Sequence, residues 1–88
     1  MEGTYTPVEE NKLASEEASL LKLIETIPGG YADVYNKLGL INNQKGDLNR
    51  AAAFFKKALF LNPHYTEASL NLTVTLNDLG EYDEARQV

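Results

Sequence analysis

Hydrophobic residues recur every three or four positions along most of this chain, which is the spacing that gathers them on one face of an α-helix. Five stretches with this spacing follow one another, at residues 7–27, 31–44, 48–61, 65–79 and 82–88. Glycine and proline punctuate the chain between several of them. No stretch alternates strictly between apolar and polar residues, as a half-buried strand would. The pattern by itself therefore predicts an all-α fold.

The first predicted helix has signals for its start and a clear apolar stripe. Thr6 can cap it, Pro7 suits its first position, and Glu9 can complete a capping box. The stripe consists of Leu13, Leu20, Ile24 and Ile27. Glu16 and Glu17 are sequence neighbours that do not face each other on a helix, so we expect solvated charges rather than an acid–base pair.

The stretch from Tyr31 to His64 is 34 residues long, and its punctuation then begins again. Five residues recur at this period, in the pairs Tyr31/Tyr65, Leu38/Leu72, Asn43/Asn77, Gly46/Gly80 and Ala51/Ala85. Gly39 lies in the middle of a helix, where glycine costs up to about 1 kcal/mol relative to alanine, so we expect another helix to pass too close for a Cβ. Gly46 suits the left-handed residue that ends a helix, and Asp47 can cap the next one.

The second helix of this unit has the small and large residues that a close helix pair requires. Ala51, Phe55 and Ala58 share one face, on which the alanines let two helices approach and the ring fills the space between them. Pro63 then stops the helix. Together with the large ring of Tyr35 and the residues described above, this arrangement resembles the tetratricopeptide repeat (TPR) family, which has two helices in each 34-residue unit.

The second copy, from Tyr65 to Val88, matches the family less well, because Ser69 replaces the large ring and Thr73 replaces the mid-helix glycine. The resemblance covers about two thirds of the chain and implies a short superhelical stack of antiparallel helix pairs. It divides the chain into a frayed N-terminus with a lead helix (1–30), a complete repeat (31–64) and the partial repeat. We interpret the lead helix either as the second helix of a degenerate repeat or as an N-terminal cap.

Composition narrows the classes of function that the chain can serve. The net charge is −5 and the basic residues are scattered, which argues against binding of nucleic acid or of an anionic membrane. There is no cysteine, so disulfides, thiolate metal sites and a cysteine nucleophile are excluded. No apolar run could span a bilayer and no N-terminal signal sequence is present, so we expect a cytoplasmic protein.

The sequence contains no recognisable set of catalytic, metal-binding or cofactor-binding residues. The single histidine, His64, lies in a loop, where we expect it to be solvated. Glu81, Asp83 and Glu84 lack the length and the glycine of a calcium-binding loop. We therefore expect no enzymatic activity, no metal and no cofactor.

The family resemblance implies a different kind of site, a concave groove lined by the first helices of successive repeats. The residues that it places there are Asp33, Asn36, Leu40, Asn43, Gln44, Glu67, Leu70, Asn71, Val74, Asn77 and Asp78. Amides can pair with both the donor and the acceptor of a peptide backbone, and Asn71 occupies a place where many repeats hold an asparagine against the ligand. The acidic residues should favour a neutral or basic peptide. The alternative is a solvated helix face without a ligand.

Two functions therefore remain open. The chain is either a non-enzymatic protein–protein interaction module or a scaffold fragment from the start of a longer repeat array, one that could be fused to a catalytic domain.

The helix at 65–79 has an apolar face formed by Ala68, Leu72, Leu76 and Leu79. Because its partner helix stops at Val88, we expect two of these leucines and Val88 to stay exposed and to drive a homodimer or higher oligomer through this end. The alternative is a monomer with a frayed C-terminus.

Overall fold

The computed structural model describes residues 7–27 and 30–88, which form five α-helices. The helices are α1 (Pro7–Thr26), α2 (Ala32–Lys45), α3 (Leu48–Leu61), α4 (Thr66–Asp78) and α5 (Tyr82–Arg86). The described residues contain no strand, and the all-α prediction is confirmed. The predicted cap at Thr6 lies outside the described residues.

Consecutive helices pack against each other in chain order, and α2 also contacts α4. The connections between α2 and α3 and between α3 and α4 are short, and α3 packs against both α2 and α4. The assembly is a slab with extents of 37 × 34 × 16 Å. This side-by-side stacking of helix pairs is the arrangement of a short TPR-like α-solenoid.

Two turns that lie 34 residues apart have the same backbone geometry. Gly46 and Gly80 have φ angles of +84° and +83°, in the left-handed region that glycine enters without a steric penalty. The N–H of the following residue donates to a carbonyl near the end of the preceding helix, at 2.9 Å after Gly46 and 2.8 Å after Gly80. Asp47 also caps α3 as predicted, since its Oδ1 accepts from the N–H of Arg50 at 3.2 Å.

The α2–α3 pair is closed by Phe55, which is 0% exposed. A Cβ added to Gly39 would lie 2.3 Å from Cε1 of this ring, so the close approach expected at Gly39 is present. Ala51 and Ala58, on the same face of α3, are also fully buried. Small residues therefore set the distance between the two helices, and the ring fills the remaining space.

The apolar face of α4 is covered, and the prediction that its leucines remain exposed is wrong. Leu72 and Leu76 are buried in one cluster with Phe55 of α3 and Ala85 of α5, and Leu79 packs against that cluster. The short α5 is sufficient because α3 packs on the same face of α4 and supplies much of the covering surface.

Candidate functional site

The amide side chains expected in the groove form a polar seam between α2 and α4. Nδ2 of Asn36 donates to Oε2 of Glu67 at 3.2 Å, and Nδ2 of Asn71 donates to Oδ1 of Asn36 at 3.0 Å. Two turns further along α2, Nδ2 of Asn43 donates to Oγ1 of Thr75 at 3.1 Å. These hydrogen bonds fix how α2 and α4 lie against each other.

Burial decides which residues of the seam can reach a ligand. Asn36 is only 2% exposed and its amide is used on both sides, so it positions Glu67 and Asn71. Asn43 and Asn71 are half-buried. Thr75 is fully buried and donates to the carbonyl of Asn71 at 2.8 Å. The sequence did not point to Thr75, although it lies one helical turn after Asn71 on the same face.

Beside the seam, α4 presents a pair of apolar side chains to solvent. Leu70 and Val74 lie one turn apart and are 63% and 57% exposed. Glu67, Asn77 and Asp78 are exposed as well. Exposed apolar patches with a polar border are typical of surfaces that bind other proteins, and Leu70 and Val74 form a small patch of this kind.

The region where α2 and α4 begin is acidic. The pKa of Tyr65 is raised, first by burial of its phenol and then by the negative charges of Glu67 and Asp33, while a hydrogen bond with Asn36 opposes the shift. Asp33 lies in the first turn of α2 and Glu67 in the first turn of α4, where the helix dipole stabilises a carboxylate. Two carboxylates, those of Asp33 and Glu67, therefore lie close enough to Tyr65 to act on its phenol.

Leu40 and Gln44 lie on the side of α2 that faces α1. Together with Leu13 and Leu20 of α1 they line an open cleft of about 990 Å³. The structure thus distributes most of the residues expected in the groove among three places: the seam between α2 and α4, the exposed face of α4, and this cleft.

A buried carboxylate that the sequence did not predict fastens α1 to the next two helices. Glu17 is 7% exposed, and its carboxylate accepts from Nδ2 of Asn42 at 2.9 Å and from Nζ of Lys45 at 2.7 Å. Nε of Arg50 lies 3.3 Å from the same group. Burial by itself raises the pKa of Glu17, but the hydrogen bonds from Lys45 and Asn42 and the two positive charges outweigh it and lower the pKa.

The expectation that Glu17 is solvated is therefore wrong, whereas its neighbour Glu16 is exposed as expected. The signal was present in the spacing, because Glu17 follows Leu13 by four residues and precedes Ile24 by seven. It therefore lies within the apolar stripe of α1, where a charged residue requires partners.

Metal-binding clusters and membrane-spanning segments are absent from residues 7–27 and 30–88. No three His, Asp or Glu residues in this part come together in a way that could hold a metal ion. None of its helices combines the length and the apolar character needed to cross a membrane. His64 is exposed, and its backbone N–H donates to Oδ1 of Asn62 at 3.2 Å.

Comparison with known proteins identifies the repeat. The sequence profile of the tetratricopeptide repeat family matches residues 43–88. An uncharacterized protein of Methanocaldococcus jannaschii is 43% identical over 56 residues, which are 64% of this chain and 65% of that protein. A probable biofilm formation methyltransferase of Pseudomonas putida is 37% identical over 57 residues, 65% of this chain and 13% of the methyltransferase.

Plant proteins with a similar segment are much longer than this chain. A probable UDP-N-acetylglucosamine–peptide N-acetylglucosaminyltransferase of Petunia hybrida is 40% identical over 48 residues, 54% of this chain and 5% of the transferase. The chain therefore spans less than two thirds of the length of each of these three relatives.

Proposed function

Because the chain belongs to the tetratricopeptide repeat family, whose members are in general protein-interaction modules, we propose that it binds a peptide or partner segment in the groove formed by α2 and α4. The observation that carries this proposal is the exposed pair Leu70 and Val74, which lies beside a seam of ordered amides. Full burial of an aliphatic side chain is worth roughly 1.5–3 kcal/mol relative to leaving it exposed. A segment bound over Leu70 and Val74 would gain part of this free energy.

Asn71 is the residue that we expect to contact the peptide backbone. One N–H of its amide is used by Asn36, which orients the side chain, and this leaves a second N–H and Oδ1 to pair with an extended peptide. Asn36 supports this geometry from its buried position and has no direct contact with the ligand in our proposal.

The charge of the groove sets its preference among peptides. Asp33, Glu67 and Asp78 are exposed along the ligand side of the two helices. They should attract lysine or arginine side chains and repel acidic ones, so a neutral or basic peptide is the preferred ligand.

A panel of labelled extended peptides with lysine, neutral or glutamate side chains tests this proposal by fluorescence polarisation. For the peptide that binds best, Asn71→Ala should weaken binding by about 1–3 kcal/mol, because backbone groups of the peptide lose their partner. Asn49→Ala is the matched control, since Asn49 is an exposed amide on α3, outside the groove. Equal affinity of the two variants would remove Asn71 from the site, and a preference for glutamate peptides would contradict the charge argument.

The second candidate function is a scaffold in a longer repeat array that is joined to a catalytic domain. Its support is the methyltransferase and transferase relatives, which resemble this chain over only a small part of their length. A parent reading frame that continues in 34-residue register beyond Val88 into a second domain would favour it. The proposed absence of catalysis applies to the repeat segment itself, and we propose a cytoplasmic location for it.

A homodimer through the C-terminal repeat also stays a proposal. Leu72 and Leu76 no longer support it, because both are buried within the chain. Its remaining support is the exposure of Tyr82 and Val88. Light scattering over a dilution series tests it, and a monomer mass at high concentration would exclude it. We likewise propose the division into lead helix, complete repeat and partial repeat.

A further inference from the structure

The cleft between α1 and α2 lies where the repeat architecture places a helix. α2 packs against α3 and also contacts α4. In chain order α4 follows α3, just as α2 follows α1. One repeat earlier, the counterpart of α2 would therefore be a helix that packs against α1 and α2. Within residues 7–27 and 30–88, no helix takes this place.

The repeat relates residues of the cleft to residues of the seam. On α4, Asn71 and Thr75 hydrogen-bond to α2 across the seam. The residues 34 positions earlier are Lys37 and Ile41 of α2, and both line the cleft. The face that α4 presents to α2 therefore has a counterpart on α2, where it borders the open cleft.

The cleft combines an apolar floor with a mainly basic rim. Leu13 and Leu20 are half-buried and lie seven residues apart, which is about 10 Å or two helical turns along α1. Lys12 and Lys37 are exposed at the edges, together with a single carboxylate, that of Glu16. Apolar side chains in this setting suit the apolar face of a helix, and the lysines suit acidic residues beside that face.

We propose that this cleft binds an amphipathic helix of a partner protein, with acidic residues flanking its apolar face. This site is separate from the peptide groove on α4 and does not depend on it.

A second copy of the chain fits the cleft less well than a separate helix does. The exposed apolar pair Leu70 and Val74 lies on α4, which is already in contact with α2, α3 and α5. In a second copy this helix would bring α2, α3 and α5 with it to the cleft, whereas a separate helix has no such neighbours. The net charge of −5 on each copy also opposes association of two copies.

Two labelled helical peptides of about 16 residues serve as probes, a length at which a capped peptide begins to hold a helix in water. Both carry one leucine stripe, which is flanked by glutamates in one peptide and by lysines in the other. We expect the glutamate peptide to bind more tightly. Lys12→Glu combined with Lys37→Glu should weaken its binding by about tenfold and strengthen binding of the lysine peptide, because the sign of the rim is reversed.

Leu20→Glu should abolish binding of the glutamate peptide, whereas Phe60→Glu is the matched control, since Phe60 is 78% exposed on α3 outside the cleft. Circular dichroism verifies that each variant is folded. The proposal fails if the glutamate peptide does not bind, or if reversing the two lysines leaves both affinities unchanged. It also fails if Leu70→Glu, but not the lysine variant, removes binding, which would place the helix on α4. If the molecular mass of the protein doubles as its concentration rises, and Leu20→Glu returns it to the monomer mass, the occupant of the cleft is a second copy of the chain.

Discussion

The α2–α3 pair and the α1–α2 pair are held together in opposite ways. Between α2 and α3, Phe55 lies under Gly39 with fully buried alanines on either side, and the contact is apolar. Between α1 and α2, the most buried side chain among residues 11–26 of α1 is that of Glu17, whose carboxylate is held by Asn42 and Lys45. Beside this carboxylate the two helices leave an open cleft.

The difference shows that one fold can use shape at one helix contact and charge at the next. An apolar contact is sensitive to changes of volume, because a close-packed interior cannot absorb an added or a missing group. A contact held by an ion pair depends on the protonation of its members, and it tolerates a gap beside it. The two contacts should therefore fail under different perturbations.

The largest effect is expected for Phe55→Ala. Removing this fully buried ring leaves a cavity between α2 and α3 and should cost about 3–5 kcal/mol of unfolding free energy. Urea denaturation followed by circular dichroism measures the loss. Leu20→Ala, at a half-buried position in the floor of the cleft, should cost clearly less.

The control for Phe55→Ala is Lys57→Ala on the same helix. Lys57 is exposed, with Nζ 5.9 Å from the ring centroid of Tyr35 and 5.2 Å from that of Phe60. Exposed cation–π contacts contribute about 0.5–1 kcal/mol, so this variant should remain close to wild type. Comparable losses for Phe55→Ala and Lys57→Ala would show that the assigned burial of α3 is incorrect.

The next effect in size is expected for Gly39→Ala, which adds volume to the same contact. Its Cβ would lie 2.3 Å from Cε1 of Phe55, and overpacking of a core typically costs about 1–3 kcal/mol, reduced here by the better helix propensity of alanine. Combining Gly39→Ala with Phe55→Leu should cost less than the sum of the two single changes, because the smaller side chain makes room. Strictly additive losses would argue against this contact.

A smaller effect is expected for Glu17→Gln at neutral pH, about 1–2 kcal/mol, because its partners Lys45 and Arg50 are partly exposed and can regain water. Glu16→Gln is the matched control on the neighbouring exposed position and should change the unfolding free energy by less than about 0.5 kcal/mol. If both variants behave alike, the buried carboxylate does not hold α1 in place.

Sequence could predict those features of the fold whose interacting residues lie within one helix, one turn or one repeat. Gly46 and Asp47 act on the backbone beside them, and Gly39 and Phe55 lie where the resemblance to the repeat family expects a glycine and a large ring. The role of Glu17 was missed because Asn42 and Lys45 lie 25 and 28 residues away and meet it only after the helices have packed.

The candidate site shows the same division. Its residues could be assigned to two helices from their position in the repeat, but not to the partners that each one takes. Asn36 and Asn71 hydrogen-bond to each other, which removes the first from the surface, while Leu40 turns to the cleft beside α1. Exposure of leucines on the apolar face of α4 was wrongly predicted because the covering surface comes from two helices at once, α3 and α5.

The smallest predicted effect is the acid dependence that Glu17 gives to the α1–α2 contact. The pKa of Glu17 is lowered in the folded chain from its ordinary value of 4.5, so folding favours the ionised carboxylate. Its contribution to stability is complete above the pKa of the unfolded chain and is lost as the pH falls through the lower pKa of the folded chain. Acidification should therefore narrow the stability difference between wild type and Glu17→Gln, whereas Glu16→Gln should follow wild type at each pH. Urea midpoints of the three proteins, measured from neutral pH into the acid range, give this difference. The three proteins share every carboxylate except the substituted one, so the effect of the shared carboxylates cancels in the comparison. A gap that stays constant or widens on acidification would mean that Glu17 acts through its shape, and the contrast between the two helix contacts would then be one of packing alone.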